Sequence, residues 1–175
     1  MAVSIQHQIR QVGAAFADGK IDHQTARQRL VALIRDHFQC SRVSYWELHG
    51  ETGERVMEFI VSSGAPSGNH MPGSRVLETD APAYFESMHK ARMYVCEDTL
   101  ADPNFENVRE RYREPGASRA MLDACLSANG KLIGVLCLEQ VGEPRKWSRP
   151  EVMAAMRFAT AISMFIARQN TLVVV

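Results

Sequence analysis

Residues 117–158 read ASRAMLDACLSANGKLIGVLCLEQVGEPRKWSRPEVMAAMRF. Two apolar runs, Arg119–Ser127 and Lys131–Gln140, flank the turn Ala128-Asn129-Gly130. An Asn-Gly pair accepts positive φ at both central positions of a tight turn, so the runs predict an antiparallel hairpin. Ser148-Arg149-Pro150-Glu151 then forms a capping box. The serine accepts from the first helical turn, the proline sits where its missing N–H costs nothing, and the glutamate reaches back to the serine amide. The helix it opens is predicted to run to about Asn170. It is apolar nearly all round, through Val152, Met153, Ala155, Met156, Phe158, Ile162, Met164 and Phe165, which requires two packing partners.

Outward from this stretch, the amino-terminal part is helical. Ile5, Ile9, Val12 and Phe16 recur at three- and four-residue steps, and Gly19 follows as a carboxy-terminal cap. Asp22 caps a second helix whose stripe is Ala26, Leu30, Leu33, Ile34 and Phe38. Arg42–His49 and Arg55–Ser62 are rich in β-branched and aromatic residues and are separated by the turn Gly50–Gly53, so they predict a second hairpin. Ser63–Gly73 is Gly/Ser/Pro-rich loop, and a short strand follows near Ser74–Leu77. Thr79 or Asp80 is expected to start a helix reaching Lys90, with Tyr84, Phe85 and Met88 inward. Met93–Cys96 is a short strand, and Phe105–Tyr112 has helical composition ended by Pro115-Gly116.

The chain has 175 residues, with 46% hydrophobic and 23% charged, as in an ordinary folded domain. It reads as one domain, 1–175, with an amino-terminal helix at 1–20 and a core at 22–170. Lys+Arg and Asp+Glu are equal at 20 each, so nothing supports a nucleic-acid surface. The longest apolar stretch, Val152–Ala167, contains Arg157 and is too short for a bilayer. No export signal is visible, and a cytoplasmic location is expected. Cys40, Cys96, Cys125 and Cys137 form no CxxC pair and share no ligand spacing with histidine, so they read as buried reduced thiols and no metal site is expected.

The 117–158 stretch also resembles the carboxy-terminal half of GAF domains of the bacterial signalling type. Arg119, Leu122, Asp123, Gly134, Val135, Leu136, Cys137, Glu139, Gly142, Arg145, Trp147, Ser148 and Glu151 match that pattern. Val95-Cys96-Glu97-Asp98 with Ala101-Asp102-Pro103, and Arg42–Trp46, resemble its upstream elements. The similarity spans about residues 25–170. Ala120, Cys125 and Gln140 depart from residues common in the family. The resemblance implies an α+β fold, with a central antiparallel sheet, terminal helices on one face, and short helices and loops over a pocket on the other.

Strand alternation sorts the residues by face. Met121, Asp123 and Cys125 form one set, Val135, Cys137 and Glu139 a second, and Ser44, Trp46 and Leu48 a third. These are assigned to the pocket face, and Ala120, Leu122, Ala124 and Leu126 to the helix face. The candidate ligand-binding residues are Ser44, Trp46, Asp98, Phe105, Val108, Tyr112, Met121, Asp123, Cys125, Cys137 and Glu139. Trp46 would stack on a small heteroaromatic or amphipathic ligand, Asp123 would accept its N–H groups, and Phe105, Val108 and Tyr112 would form a lid. Asp98 would anchor that lid loop or the ligand. The pocket is expected to stand partly open and the helix face to be sealed by the chain ends.

The resemblance implies a small-molecule-sensing regulatory domain coupled to a signalling output, without catalytic residues. The last helix, apolar nearly all round, needs the first helix or a second subunit beside the sheet, and a homodimer through the terminal helices is expected. The cofactor is unknown. The alternatives are a thiol enzyme of the free methionine-R-sulfoxide reductase type, and a dimerisation scaffold with a degenerate pocket. No cysteine sits beside a histidine in the short motif that bilin-attaching relatives use.

Overall fold

The computed structural model describes residues 4–172, with side chains through Ile166. The first three residues of the expected 1–20 segment, and the side chains of 167–170, lie outside the described residues. The strands are β1 (Arg42–His49), β2 (Val56–Gly64), β3 (Arg75–Leu77), β4 (Met93–Cys96), β5 (Ser118–Ala128) and β6 (Lys131–Val141). They form one antiparallel sheet in the order β3-β2-β1-β6-β5-β4. The expected hairpins are both present. Asn129 and Gly130 take φ of 51° and 78°, as their turn requires.

Helices α1 (Ile5–Ala17), α2 (His23–Phe38) and α4 (Arg149–Leu172) cover one face. Asp22 caps α2 by accepting from the Thr25 amide at 2.7 Å. The Ser148–Glu151 box opens α4, the serine amide donating to Glu151 Oε2 at 2.7 Å. Val43, Tyr45, Ala120, Leu122, Ala124, Leu126, Leu136 and Leu138 meet these helices in one apolar core, as alternation predicts. Trp147 joins this core, donates from Nε1 to the Cys96 carbonyl, and lies under the Arg145 guanidinium at 4.4 Å.

The other face is covered by α3 (Pro82–Ala91) and by a 3-10 helix, Pro103–Arg113. Both begin elsewhere than expected. Ala81, not Thr79 or Asp80, is the cap of α3 and makes no side-chain bond, because Pro82 at the first turn sets the start. Asp102 caps the 3-10 helix by accepting from Asn104 N, and Pro103 opens it ahead of Phe105. Trp46, Phe59, Phe85, Phe105, Met121, Cys125 and Cys137 form the second core beneath them.

Candidate functional site

Arg42 lies directly across from Glu139 in the β1–β6 register, and Asp123 across from Cys137 in the β5–β6 register. The same alternation that turns Ser44 and Trp46 to this face therefore turns Arg42 there too. Arg42 is fully buried. Its Nε donates to Glu139 Oε2 at 3.0 Å and its Nη2 to Oε1 at 3.0 Å. Nη2 also donates to Ser118 Oγ, and Nη1 to the carbonyls of Ala65 and Gly116. All the N–H groups of the guanidinium are thus matched.

Glu139 is equally enclosed. Ser44 Oγ donates to it at 2.8 Å, Ser118 Oγ donates to its other oxygen, and His70 Nε2 lies 2.9 Å from Oε1. Burial opposes its charge, but His70 and then Arg42 outweigh burial and hold the carboxyl well below the usual range. Glu139 is therefore a saturated hub. It also holds His70, which stands edge-on to Trp46 and Phe59 at 5.3 and 5.8 Å. His70 Nδ1 has no hydrogen-bond partner among the described residues.

Asp123 differs. It is fully buried, and only Oδ2 is engaged, accepting from Tyr84 Oη at 2.6 Å. Oδ1 has no partner among the described residues. Burial pushes the carboxyl up to about 7; the Tyr84 bond offsets part of this and the Glu139 charge adds to it. Tyr84, Phe105 and Tyr112 form a cluster of tilted rings with centroids 5.3 and 5.0 Å apart. Tyr94 Oη donates to Asp102 and accepts from Asn104, tying the start of the 3-10 helix to β4.

Trp46, Phe105, Val108, Tyr112, Met121, Asp123, Cys137 and Glu139 border one cavity, together with His70 and Tyr84. Its volume is ≈ 50 Å³. That admits a few water-sized groups and not a heteroaromatic molecule, so the expected pocket is present but narrow in this form. The reason is the aromatic roof, whose rings fill the space over the sheet. Ser44 and Cys125 share the face but do not border the cavity. Ser44 accepts from Trp46 Nε1 and donates to Glu139, and Cys125 packs against α3, its Sγ 3.9 Å from the Met88 carbonyl. Asp98 is outside the site. It accepts from the Leu100 amide and pairs with Arg119 at 3.1 Å, so it anchors its loop.

The sequence reading missed Arg42, His70, Ser118 and the Tyr84 hydroxyl. Parity along β1 and β6 could have found Arg42 and placed its carboxylate partner. No periodicity marks His70, which approaches Glu139 from a loop.

All the cysteines are free and buried. Burial pushes Cys40 up to about 11 and Cys125 up to about 12, and raises Cys96 and Cys137 further. Among the described residues no His/Cys/Asp/Glu cluster could hold a metal ion. Nor is any described helix long and apolar enough to cross a membrane.

The GAF domain family profile matches residues 22–166, and the chain belongs to that family. It is similar to the phycoerythrobilin-bound GAF domain from a cyanobacterial phytochrome, with TM-score 0.76, 15% identity and 98% of each chain covered. It is also similar to free methionine-R-sulfoxide reductase from Neisseria meningitidis in complex with its substrate, with TM-score 0.68, 15% identity, and 97% of this chain and 96% of that one covered. A third likeness is to the GAF domain from Acinetobacter phosphoenolpyruvate-protein phosphotransferase, with TM-score 0.70, 13% identity, and 98% and 97% covered. At these identities the likeness concerns the fold. No curated protein matches the chain.

Proposed function

We propose that this chain is a ligand-sensing regulatory GAF domain of bacterial signal transduction, acting in the cytoplasm as one domain and as a homodimer through its terminal helices. The observation that carries the reading is Asp123, a fully buried carboxylate with one oxygen unpartnered at the floor of a roofed cavity. A buried acceptor without a partner costs free energy that a ligand N–H would recover. The ligand is a small heteroaromatic or amphipathic molecule that donates to Asp123 Oδ1 and reaches Trp46 and His70. It enters by displacing the 3-10 helix, whose hydrogen bonds are geometrically weaker than those of an α-helix.

The route to the terminal helices is short. Leu122 and Ala124 flank Asp123 on β5 and pack into the core beneath the terminal helices, and the Ser127 amide donates to Ser163 on α4 at 3.0 Å. Met153, Met156 and Met164 remain exposed on α4, and they supply the apolar stripe for a second copy. An output protein would read the resulting helix arrangement.

Native mass spectrometry of the purified protein tests this reading. A dimer carrying a bound small mass, with the mass lost in Asp123→Asn, is the expected result. A bare monomer with no thermal shift across a metabolite panel would sink it. The thiol-reductase alternative has a fold precedent, but attack requires an accessible thiolate, and burial disfavours that at every cysteine here. Assay of free methionine sulfoxide reduction with Cys125→Ser distinguishes the two.

A further inference from the structure

The larger opening of the molecule lies on the face expected to be sealed. There α2 packs on β1 and β2, and α4 on β5. A cleft of ≈ 460 Å³ remains between them, within the range of small-molecule sites. Helix α1 spans α2 and α4 along its side. Gly13 lets it do so, since a Cβ there would stand 2.5 Å from the Phe165 ring.

The cleft lining holds both apolar and charged side chains. The apolar part includes Leu30, Leu126, Ile133, Leu136, Ile162 and Phe165. His23, Arg27, Glu47 and His49 also line the cleft. Arg27 Nη2 lies 2.5 Å from Glu47 Oε1, and its Cζ lies 5.4 Å from the Tyr45 ring centroid. Arg27 also acts on the Tyr45 hydroxyl, and its side chain is about a third exposed, which leaves guanidinium N–H groups accessible from the cleft. Arg27 and His49 thus face one carboxylate, His49 Nε2 lying 3.5 Å from Glu47 Oε2, and the guanidinium keeps N–H groups for a second.

We propose that this cleft is a second binding site, for an amphipathic carboxylate. The hydrocarbon body lies against Leu126, Leu136 and Ile162. The head takes the accessible N–H groups of Arg27, whose planar guanidinium suits a carboxylate. His23 and His49 add N–H donors beside it. The occupant touches α1, α2 and α4 together, so it bears on the same helices that the sheet's other face addresses, without using Asp123.

Calorimetric titration of the full chain with decanoate, decanol and decyltrimethylammonium, each below micelle-forming concentrations, tests the assignment. Decanoate is expected to bind saturably, with the trimethylammonium compound at least about tenfold weaker, a difference of about 1.4 kcal/mol. Arg27→Gln should weaken decanoate by about tenfold and leave decanol within about twofold. Glu47→Gln, which removes the competing carboxylate, should strengthen decanoate, a change that a merely structural ion pair would not produce. Methyl resonances of Leu126 and Ile133 should shift and those of Met57 and Met121 should not. Equal binding of the cationic compound, indifference to both substitutions, or shifts confined to the methionines would overturn the proposal. So would a dimer that excludes decanoate and dissociates on Leu136→Trp, since a second copy would then be the occupant.

Discussion

Under α3 and the 3-10 helix, Arg42, Ser44, His70, Ser118 and Glu139 share one hydrogen-bond network beside a cavity of ≈ 50 Å³. Across the same sheet, Leu126, Leu136 and Ile162 border a cleft of ≈ 460 Å³ with an ion pair in its lining. The fully buried ion pair goes with the small cavity, and the pair about a third exposed goes with the large one. The physics asks for this. A buried ion pair is tolerable only when every remaining lone pair and proton is matched, which fixes many atoms at once. Apolar side chains have no such directional demand, so their layer can part while the rest of the core stays packed.

Removing one partner from each ion pair is the strongest way to break that contrast. Arg42→Met strands Glu139 without its guanidinium and should cost about 3–5 kcal/mol in denaturant unfolding. Arg27→Met breaks a pair about a third exposed on each side, and should cost less than about 1 kcal/mol. Similar losses at the two positions would show that the Arg42 network is no more committed than a surface pair.

Asp123 makes the comparison pH-dependent. Its carboxyl, ordinarily near 3.8, is pushed up to about 7 by burial. Between those values the folded chain holds a proton that the unfolded chain has released, so stability falls as pH rises through that window. Glu139 acts oppositely and lower. Its carboxyl is held below the ordinary 4.5, so its contribution is present above that value and is lost as pH falls. Relative to wild type, Asp123→Asn should therefore gain about 2–4 kcal/mol between pH 4 and pH 8. A difference flat with pH would mean that Asp123 ionises freely. On the helix face burial raises Cys40 to about 11 and Tyr45 to about 12, both above that window.

Gly134 probes the contact between the two layers. A Cβ there would stand 2.8 Å from the Trp46 carbonyl and 2.7 Å from the Tyr45 ring. The ring can swing into the cleft beside it, but the carbonyl belongs to the sheet. Gly134→Ala should cost about 1–3 kcal/mol by thermal unfolding. A neutral result would show that β1 and β6 can separate without disturbing either face.

Which face each strand residue takes was legible, because a period of two leaves one choice per strand. Ser44, Trp46, Asp123, Cys137 and Glu139 share a face for that reason. The same parity covers Arg42, but an arginine opening a strand reads as solvent-facing until its partner is placed, and Glu139 lies 97 residues away. His70 was illegible for another reason. A loop has no period, and its position follows from contacts such as Arg42 with the Ala65 carbonyl. Helical spacing turned Tyr84 inward but could not say what its hydroxyl meets. Free volume was the least legible property. It depends on how far the 3-10 helix settles and how α2 and α4 diverge, which no single segment encodes. The β1–β2 register shift at Tyr45/Trp46 is likewise set by pairing between strands.

The smallest expected effect lies where the helix layer begins. Ser148 accepts from the Glu151 amide at 3.4 Å, while Glu151 accepts from the Ser148 amide at 2.7 Å and from Arg145 at 2.7 Å. The serine oxygen thus makes the longer bond of the box, and the glutamate carries its tighter half. Ser148→Ala should cost about 0.5–1 kcal/mol, at the low end for a lost cap. Glu151→Ala should cost more, because it also releases Arg145 from its place over Trp147. Urea unfolding of the two variants ranks them. If the serine proved the costlier loss, α4 would be held at its start by its hydroxyl and not by the Arg145–Glu151 clasp, and the link from β4 through Trp147 into the helix face would be weaker than its geometry implies.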